Sequence, residues 1–294
     1  MEKNEKLKQA IRKTTIESIR SPLRYMGGKF YQAKWIIENF PEHDIYVEPF
    51  GGAAHVLMQK PFSKIEVYND LNESMVNLFK VLQDEELSQQ LIKFLYLTPH
   101  SRGFFYDVRD MKYTIPTKNE MLQKAYRTCV MMKQSFPANV MSRTPSWSFV
   151  RGRTPGSLRA KTTASFNNFP KRLLEVIDRI KQVQIESLDF VECIKKYDTK
   201  NTFFYCDPPY LGVADAEKYY GRKFTMRDHY DLANILKNIK GKACVSYYQR
   251  SILDRFYSGW HKVVKGYYKY SGKSQGSKTP SKEILYMNCG DDSK

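Results

Sequence analysis

Hydrophobic positions along the chain fall into short runs, most of them ended by glycine, proline or a polar pair. Thr202 to Cys206 is one such run, of strand length, and it stops at Asp207 because Pro208 and Pro209 cannot continue a sheet ladder. Asp44 to Phe50 predicts a second strand, which Gly51-Gly52 turns into a helix over Ala53 to Gln59. Ile65 to Tyr68 predicts a third, ending in Asn69-Asp70 and followed by a helix over Asn72 to Leu82. Helical spacing returns over Tyr31 to Asn39, Leu173 to Ile180 and Met226 to Ile239. Gln184 to Phe190 reads as strand then loop, Leu211 to Thr225 as loop, and Lys242 to Tyr247 as a strand, with Glu283 to Asn288 closing the sheet. Strands that alternate with helices predict an α/β fold built on a mainly parallel sheet.

Charge adds a partner class. The 294 residues carry 48 Lys and Arg against 31 Asp and Glu, a net charge of +17, which points to a polyanion. From Met121 to Leu174 there is no acid at all, while Lys124, Arg127, Lys133, Arg143, Arg151, Arg153, Arg159, Lys161, Lys171 and Arg172 fall there. A solvated face mixes signs, so this run implies phosphates nearby, and its turn-rich centre, Arg143 to Gly156, suits a hairpin or loop entering a groove. Arg255 to Lys282 is acid-free as well, with Tyr267, Tyr268 and Tyr270 interleaved and a Gly/Ser-rich hairpin tip around Lys273 that either holds DNA or is solvated.

Composition also excludes classes. No apolar run reaches the ~18 residues of a spanning helix, and residues 1–20 form a polar arm unlike a signal peptide. A soluble, cytoplasmic protein with no membrane partner is expected. The five cysteines form no CxxC pair and the five histidines no HExxH, so neither a disulfide framework nor a metal site is expected, and the thiols should be buried and free.

The candidate chemistry lies at strand ends. Neither proline of Asp207-Pro208-Pro209-Tyr210 has an N–H, so the turn offers carbonyls and one carboxylate in a stiff frame. Such a turn can accept both hydrogens of an exocyclic nucleobase amine, one on Asp207 and one on the Pro208 carbonyl, leaving a lone pair able to attack, with Tyr210 stacked on the base. In isolation it is equally a strand-ending proline turn. Strand, glycine turn and helix around Glu48 to Gly51 form a ligand crevice, although the pattern is neither G-x-G-x-x-G nor a phosphate loop, which argues against a nicotinamide oxidoreductase and an ATPase. Asp70, about 20 residues past that turn, stands where such folds hold ribose hydroxyls. It could equally cap the helix that follows.

Taken together, Ser21-Pro-Leu-Arg-Tyr-Met-Gly-Gly-Lys29, Tyr46-Val-Glu-Pro-Phe-Gly-Gly-Ala-Ala54, Val67-Tyr-Asn-Asp-Leu-Asn72 and Asp207-Pro208-Pro209-Tyr210 occur in an order that resembles the N6-adenine-specific DNA methyltransferases of the Dam (D12 class) type. The resemblance spans roughly Ser21 to Asn288. It implies a Rossmann-like S-adenosylmethionine-dependent methyltransferase sheet over residues 21–94 and 171–294. A small, mostly helical or hairpin target-recognition domain is inserted at 95–170. It also implies that Tyr25, Gly28, Lys29, Glu48, Phe50, Gly51, Asp70, Asp189, Phe190 and Asp207 contact S-adenosylmethionine, with Asp189 and Phe190 at its adenine. Lys133, Arg143, Arg151, Arg153, Arg159 and Lys273 are the expected DNA ligands.

Two departures stand out: Ala53-Ala54 replace the second glycine of E-P-F-x-G-x-G, which should tighten the turn. Lys133-Gln-Ser-Phe-Pro-Ala-Asn139 replaces the usual N-K-T-C-F-N-G-L, which bears on the recognised sequence.

The expected reaction is methyl transfer from S-adenosylmethionine to N6 of an adenine flipped out of double-stranded DNA, with GATC as the site the resemblance suggests and a cognate restriction endonuclease as a partner. The alternatives are an N4-cytosine or RNA adenine methyltransferase, and a catalytically silent DNA-binding protein of the same fold.

Overall fold

The computed structural model describes residues 19, 21, 23, 27–135, 145–148, 159–211, 224–270 and 278–290. The N-terminal arm, Tyr25, Arg143, Arg151, Arg153 and Lys273 lie outside these residues. Among the described residues, seven strands form one sheet in the order β3-β2-β1-β4-β5-β7-β6. They are β1 (Ile45–Glu48), β2 (Ile65–Asn69), β3 (Val183–Glu186), β4 (Thr202–Cys206), β5 (Lys242–Tyr248), β6 (His261–Tyr270) and β7 (Lys278–Met287).

The apolar run predicted for β4 is a strand with the predicted bounds, and all five of its residues are buried. Burial on both faces is why it reads as a continuous run rather than an alternating one. β1 lies parallel to both β2 and β4, and β4 parallel to β5. β7 runs antiparallel to β5 and to β6. The strand expected to close the sheet is therefore an internal strand, and β6 forms the edge.

The chain divides into two compact units. One holds residues 35–51, 62–71 and 188–294. Its strands alternate in period two: Val47, Phe204, Cys206 and Val245 pack with Ile194, Leu232, Leu236 and Leu253 of the helices Phe190–Tyr197, Met226–Lys237 and Ser251–Phe256. Tyr46, Phe203 and Tyr205, at the intervening positions, join an aromatic cluster with Phe40 and His43. The helix Met226–Lys237 starts where Thr225 and Asp228 cap each other reciprocally, a capping box that the sequence carries openly.

The other unit comprises residues 1–34, 52–61 and 72–187 and is mainly helical. Its helices Glu73–Gln83, Glu85–Tyr96, Glu120–Gln134 and Phe169–Ile180 bury Leu78, Phe79, Leu91, Leu95, Leu122, Cys129, Phe169 and Leu173. Arg179 is buried there as well, and its guanidinium donates to the Leu57 carbonyl at 2.6 Å. Residues 95–170 fall wholly within this unit.

Ala54 has φ 53° and ψ 36°. An alanine thus occupies the left-handed region, at a cost of about 1 kcal/mol. Cys129, Cys193, Cys206 and Cys244 are buried free thiols, whereas Cys289 is only half-buried.

Candidate active site at the carboxyl edge of the sheet

The chain leaves β1 toward β2 on one side and pairs it with β4 on the other, which makes the carboxyl ends of these strands a switch point. Three segments meet there: Glu48 to Gly51, Asn69 to Leu71, and Asp207 to Tyr210.

Asn69 fastens the first two to a fourth segment. Its amide donates to the carbonyls of Pro49 at 2.9 Å and Leu188 at 3.0 Å, and its side-chain oxygen accepts from the Leu188 N–H at 2.8 Å. Its own backbone carbonyl accepts from the Gly51 N–H at 2.8 Å. A side chain on Gly51 would run into the ring of Tyr68, so this close approach requires glycine.

Beside the clamp lies a small cleft lined in part by Pro49 and Leu188, two of the residues that Asn69 holds. Phe50, Phe190 and Phe224 wall it, with ring centroids 5.5 to 5.7 Å apart. Asp70, Leu188 and Pro209 complete much of the lining. Such a cleft fits a nucleoside, because flat phenyl faces suit a purine and a carboxylate at a strand end suits ribose hydroxyls.

The structure removes the capping alternative for Asp70. Asn72 caps the following helix, accepting from the N–H groups of Ser74 and Met75 at 3.1 and 3.3 Å. Phe190 is not in a loop: it opens the helix Phe190–Tyr197, and Asp189 caps that helix by accepting from the Val191 N–H at 2.9 Å. Glu48 is buried, and one of its oxygens accepts from the Tyr46 hydroxyl at 2.7 Å. Burial, with Glu48 adding to it, holds the Tyr46 phenol well above its ordinary pKa.

In the proline turn, Pro208 and Pro209 are buried and Asp207 and Tyr210 are half-buried. The Tyr210 hydroxyl donates to Glu283 and lies 3.1 Å from the Ser246 hydroxyl. Its ring meets Tyr248 edge-on at 4.4 Å and 85°. Burial raises the Tyr210 phenol well above its ordinary value, and Asp207 and Glu283 raise it further. His229 links this side to the cleft: its Nδ1 lies 2.8 Å from the Tyr247 hydroxyl, and its ring meets Phe224 at 4.7 Å. Burial lowers its pKa to about 4, so the imidazole is neutral near neutral pH.

Gly28 and Lys29 belong to the helical unit. There the buried Lys29 ammonium donates to the Gly27 carbonyl at 3.3 Å, and His55, lowered to about 4 chiefly by burial, feels its charge. The expectation for Lys133 is corrected. It is 4% exposed, with its Nζ 3.3 Å from the Ser165 hydroxyl and 4.9 Å from the centre of the Phe169 ring, and it has no face for a phosphate. Arg159 opens the helix Arg159–Asn167.

Sequence reasoning missed Phe224, Asn69 as a clamp, and Glu283. Phe224 directly precedes the capping box, the position from which an apolar residue commonly packs back on its helix. Glu283 was marked by being an acid at the head of the apolar strand run Ile284 to Met287.

An open α/β sheet with an antiparallel strand inserted between its last two neighbours, and an aromatic cleft beside a proline turn at the switch point, match the Rossmann-like methyltransferase fold. A family model for the D12 class N6 adenine-specific DNA methyltransferases matches residues 25–270. The chain belongs to that family, enzymes that methylate N6 of adenine in DNA. It is 30% identical over 209 residues to the type II methyltransferase M.MjaIII of Methanocaldococcus jannaschii, covering 64% of this chain and 68% of the relative. It is 21% identical over 232 residues to the DNA adenine methylase of Salmonella typhi, covering 75% and 76%. The modification methylase StsI of Streptococcus sanguinis is 26% identical over 223 residues, 71% of this chain and 32% of that protein.

Proposed function

We propose that the protein binds S-adenosylmethionine in the Phe50, Phe190 and Phe224 cleft and methylates an adenine rotated out of duplex DNA into the Asp207 to Tyr210 turn. The observation that carries this reading is that the turn and the cleft share a wall, Pro209, at one sheet edge. When bound, S-adenosylmethionine supplies an electrophilic methyl group. The chain's own residues do the rest by positioning and by electrostatics.

Asp70 holds the ribose hydroxyls. Phe190 packs on the cofactor's adenine beside Asp189, and Phe50, Gly51 and Glu48 shape the floor of the cleft. Tyr25, Gly28 and Lys29 remain assigned to the cofactor on motif order alone. Asp207 and the Pro208 carbonyl accept the two N6 hydrogens of the target, which frees the nitrogen lone pair, while Tyr210 offers its ring to the base. N6 lies inside the base stack of a duplex, so the adenine must be extruded to reach this turn.

Residues 95–170 read the target sequence in this proposal, and Arg143, Arg151, Arg153, Arg159 and Lys273 contact phosphates. GATC is the first sequence to test, since the relatives include DNA adenine methylases. A role paired with a restriction endonuclease is the second proposal, supported by the likeness to a modification methylase. Association with intracellular DNA follows from the same substrate.

The test is incubation of purified protein with unmethylated plasmid and S-adenosylmethionine, digestion to nucleosides and mass spectrometry. N6-methyladenine is expected from the wild type and none from Asp207→Ala. N4-methylcytosine, no methylated base, or an active Asp207→Ala would overturn the assignment. Sequencing of the modified positions then gives the site.

A further inference from the structure

Behind the catalytic turn lies a second acid that the reaction does not require. Glu283 is on β7, paired in register with Tyr248 of β5, and is 1% exposed. Its Oε1 accepts from the Tyr210 hydroxyl and from the Ser246 hydroxyl, the latter at 2.5 Å, and Ser246 is fully buried. Tyr210 is thus held at two points, its hydroxyl by Glu283 and its ring by the edge-on Tyr248, while Ser246, 3.1 Å from the tyrosine oxygen, donates to the same carboxylate oxygen and holds it in place.

A buried carboxylate is costly to desolvate, and a glutamine of the same shape would cost less. What the acid adds is a stronger acceptor, since hydrogen bonds to a carboxylate are shorter and firmer than neutral ones. The Tyr210 phenol, raised by burial first and by Asp207 and Glu283 after it, stays protonated and remains a donor throughout the working pH range. A hydroxyl tethered into the sheet fixes the plane of the ring, and the ring plane decides whether a base can lie flat on it.

We propose that Glu283, with Ser246, is a positioning residue for the target base: it orients the Tyr210 ring against which the extruded adenine stacks. The inference rests on the assignment of Tyr210 to the target pocket. Glu283 does not touch the base and acts only through Tyr210.

The experiment is a double-mutant cycle on the full chain with Glu283→Gln, Tyr210→Phe and the pair, measured as single-turnover methylation of an adenine-containing duplex, alongside cofactor titration. Glu283→Gln keeps the volume and one acceptor, so folding is preserved, and thermal unfolding checks that. The methylation rate should fall about tenfold in each single variant. Cofactor affinity should stay within about twofold, and the pair should be no slower than Tyr210→Phe alone. A Glu283→Gln enzyme at the wild-type rate overturns the inference and leaves the proposed function standing. So does a pair that loses the product of the two single factors, or a loss of cofactor affinity that matches the loss of rate, as a merely structural role would give. A wild type that leaves adenine unmodified overturns the proposed function and this inference with it.

Discussion

The two halves of the sheet edge are held by different devices. Beside the aromatic cleft, Asn69 reaches main-chain groups, the carbonyls of Pro49 and Leu188 and the N–H of Leu188. At the proline turn, Glu283 reaches a side chain, the hydroxyl of Tyr210. A neutral amide whose partners are backbone fixes where loops run and leaves the identity of the loop side chains free. A buried carboxylate fixes the orientation of one particular ring. Under the proposed function the difference matches the tasks: a cofactor that is always the same needs a cleft of constant shape, whereas the reacting base needs one plane presented accurately.

The comparison can be broken first at the amide. Asn69→Ala leaves two carbonyls and one N–H near the cleft without their partner, at about 1 kcal/mol or more for each. We expect a loss of stability of about 2 to 4 kcal/mol and a weaker cofactor complex, read by thermal unfolding and by titration. An unchanged melting temperature would mean that the loops are held elsewhere.

A smaller effect separates shape from contact. Asp70→Ala leaves the clamp intact and removes one acceptor, so the cofactor dissociation constant should rise roughly tenfold, for about 1.4 kcal/mol, with little change in stability. An unchanged titration would move the ribose contact away from Asp70.

A third effect concerns the link between the halves. His229, between Phe224 and Tyr247, has its pKa lowered by burial from 6.5 to about 4. A group depressed in this way binds its proton more readily in the unfolded chain. Its contribution to stability is therefore full above about 6.5 and is lost as the pH falls toward 4. Unfolding measured across that window should show an acid limb that flattens in His229→Gln. An identical limb in the variant would assign it to other groups, His55 first among them.

Much of the sheet edge was legible in the chain because its signals are local. Two prolines stop β4 at Cys206, glycine turns β1, and the acid after β2 stands two residues before the asparagine that caps the next helix. What escaped depends on distant partners. Asn69 meets Leu188 across 119 positions, and Tyr210 meets Glu283 across 73. Neither pairing leaves a period or a motif. Lys133 misled for a related reason, since its place in an acid-free run gives its charge and not its direction, and the helix turns it inward. Phe224 lay next to a capping box but at the end of a stretch with no periodicity, where an aromatic residue carries no sign of which wall it will form.

The position of β7 has a consequence for how the enzyme is made. It is the latest of the seven strands in chain order, yet it slots between β5 and β6. During synthesis, which delivers the chain from its N-terminus, the parallel strands and the proline turn emerge before Glu283, the acceptor of the Tyr210 hydroxyl. The nascent chain can thus assemble its aromatic cleft while the Tyr210 hydroxyl still lacks its carboxylate acceptor. Competence for the reaction would then arrive late and at once, when one strand threads into the gap between two others.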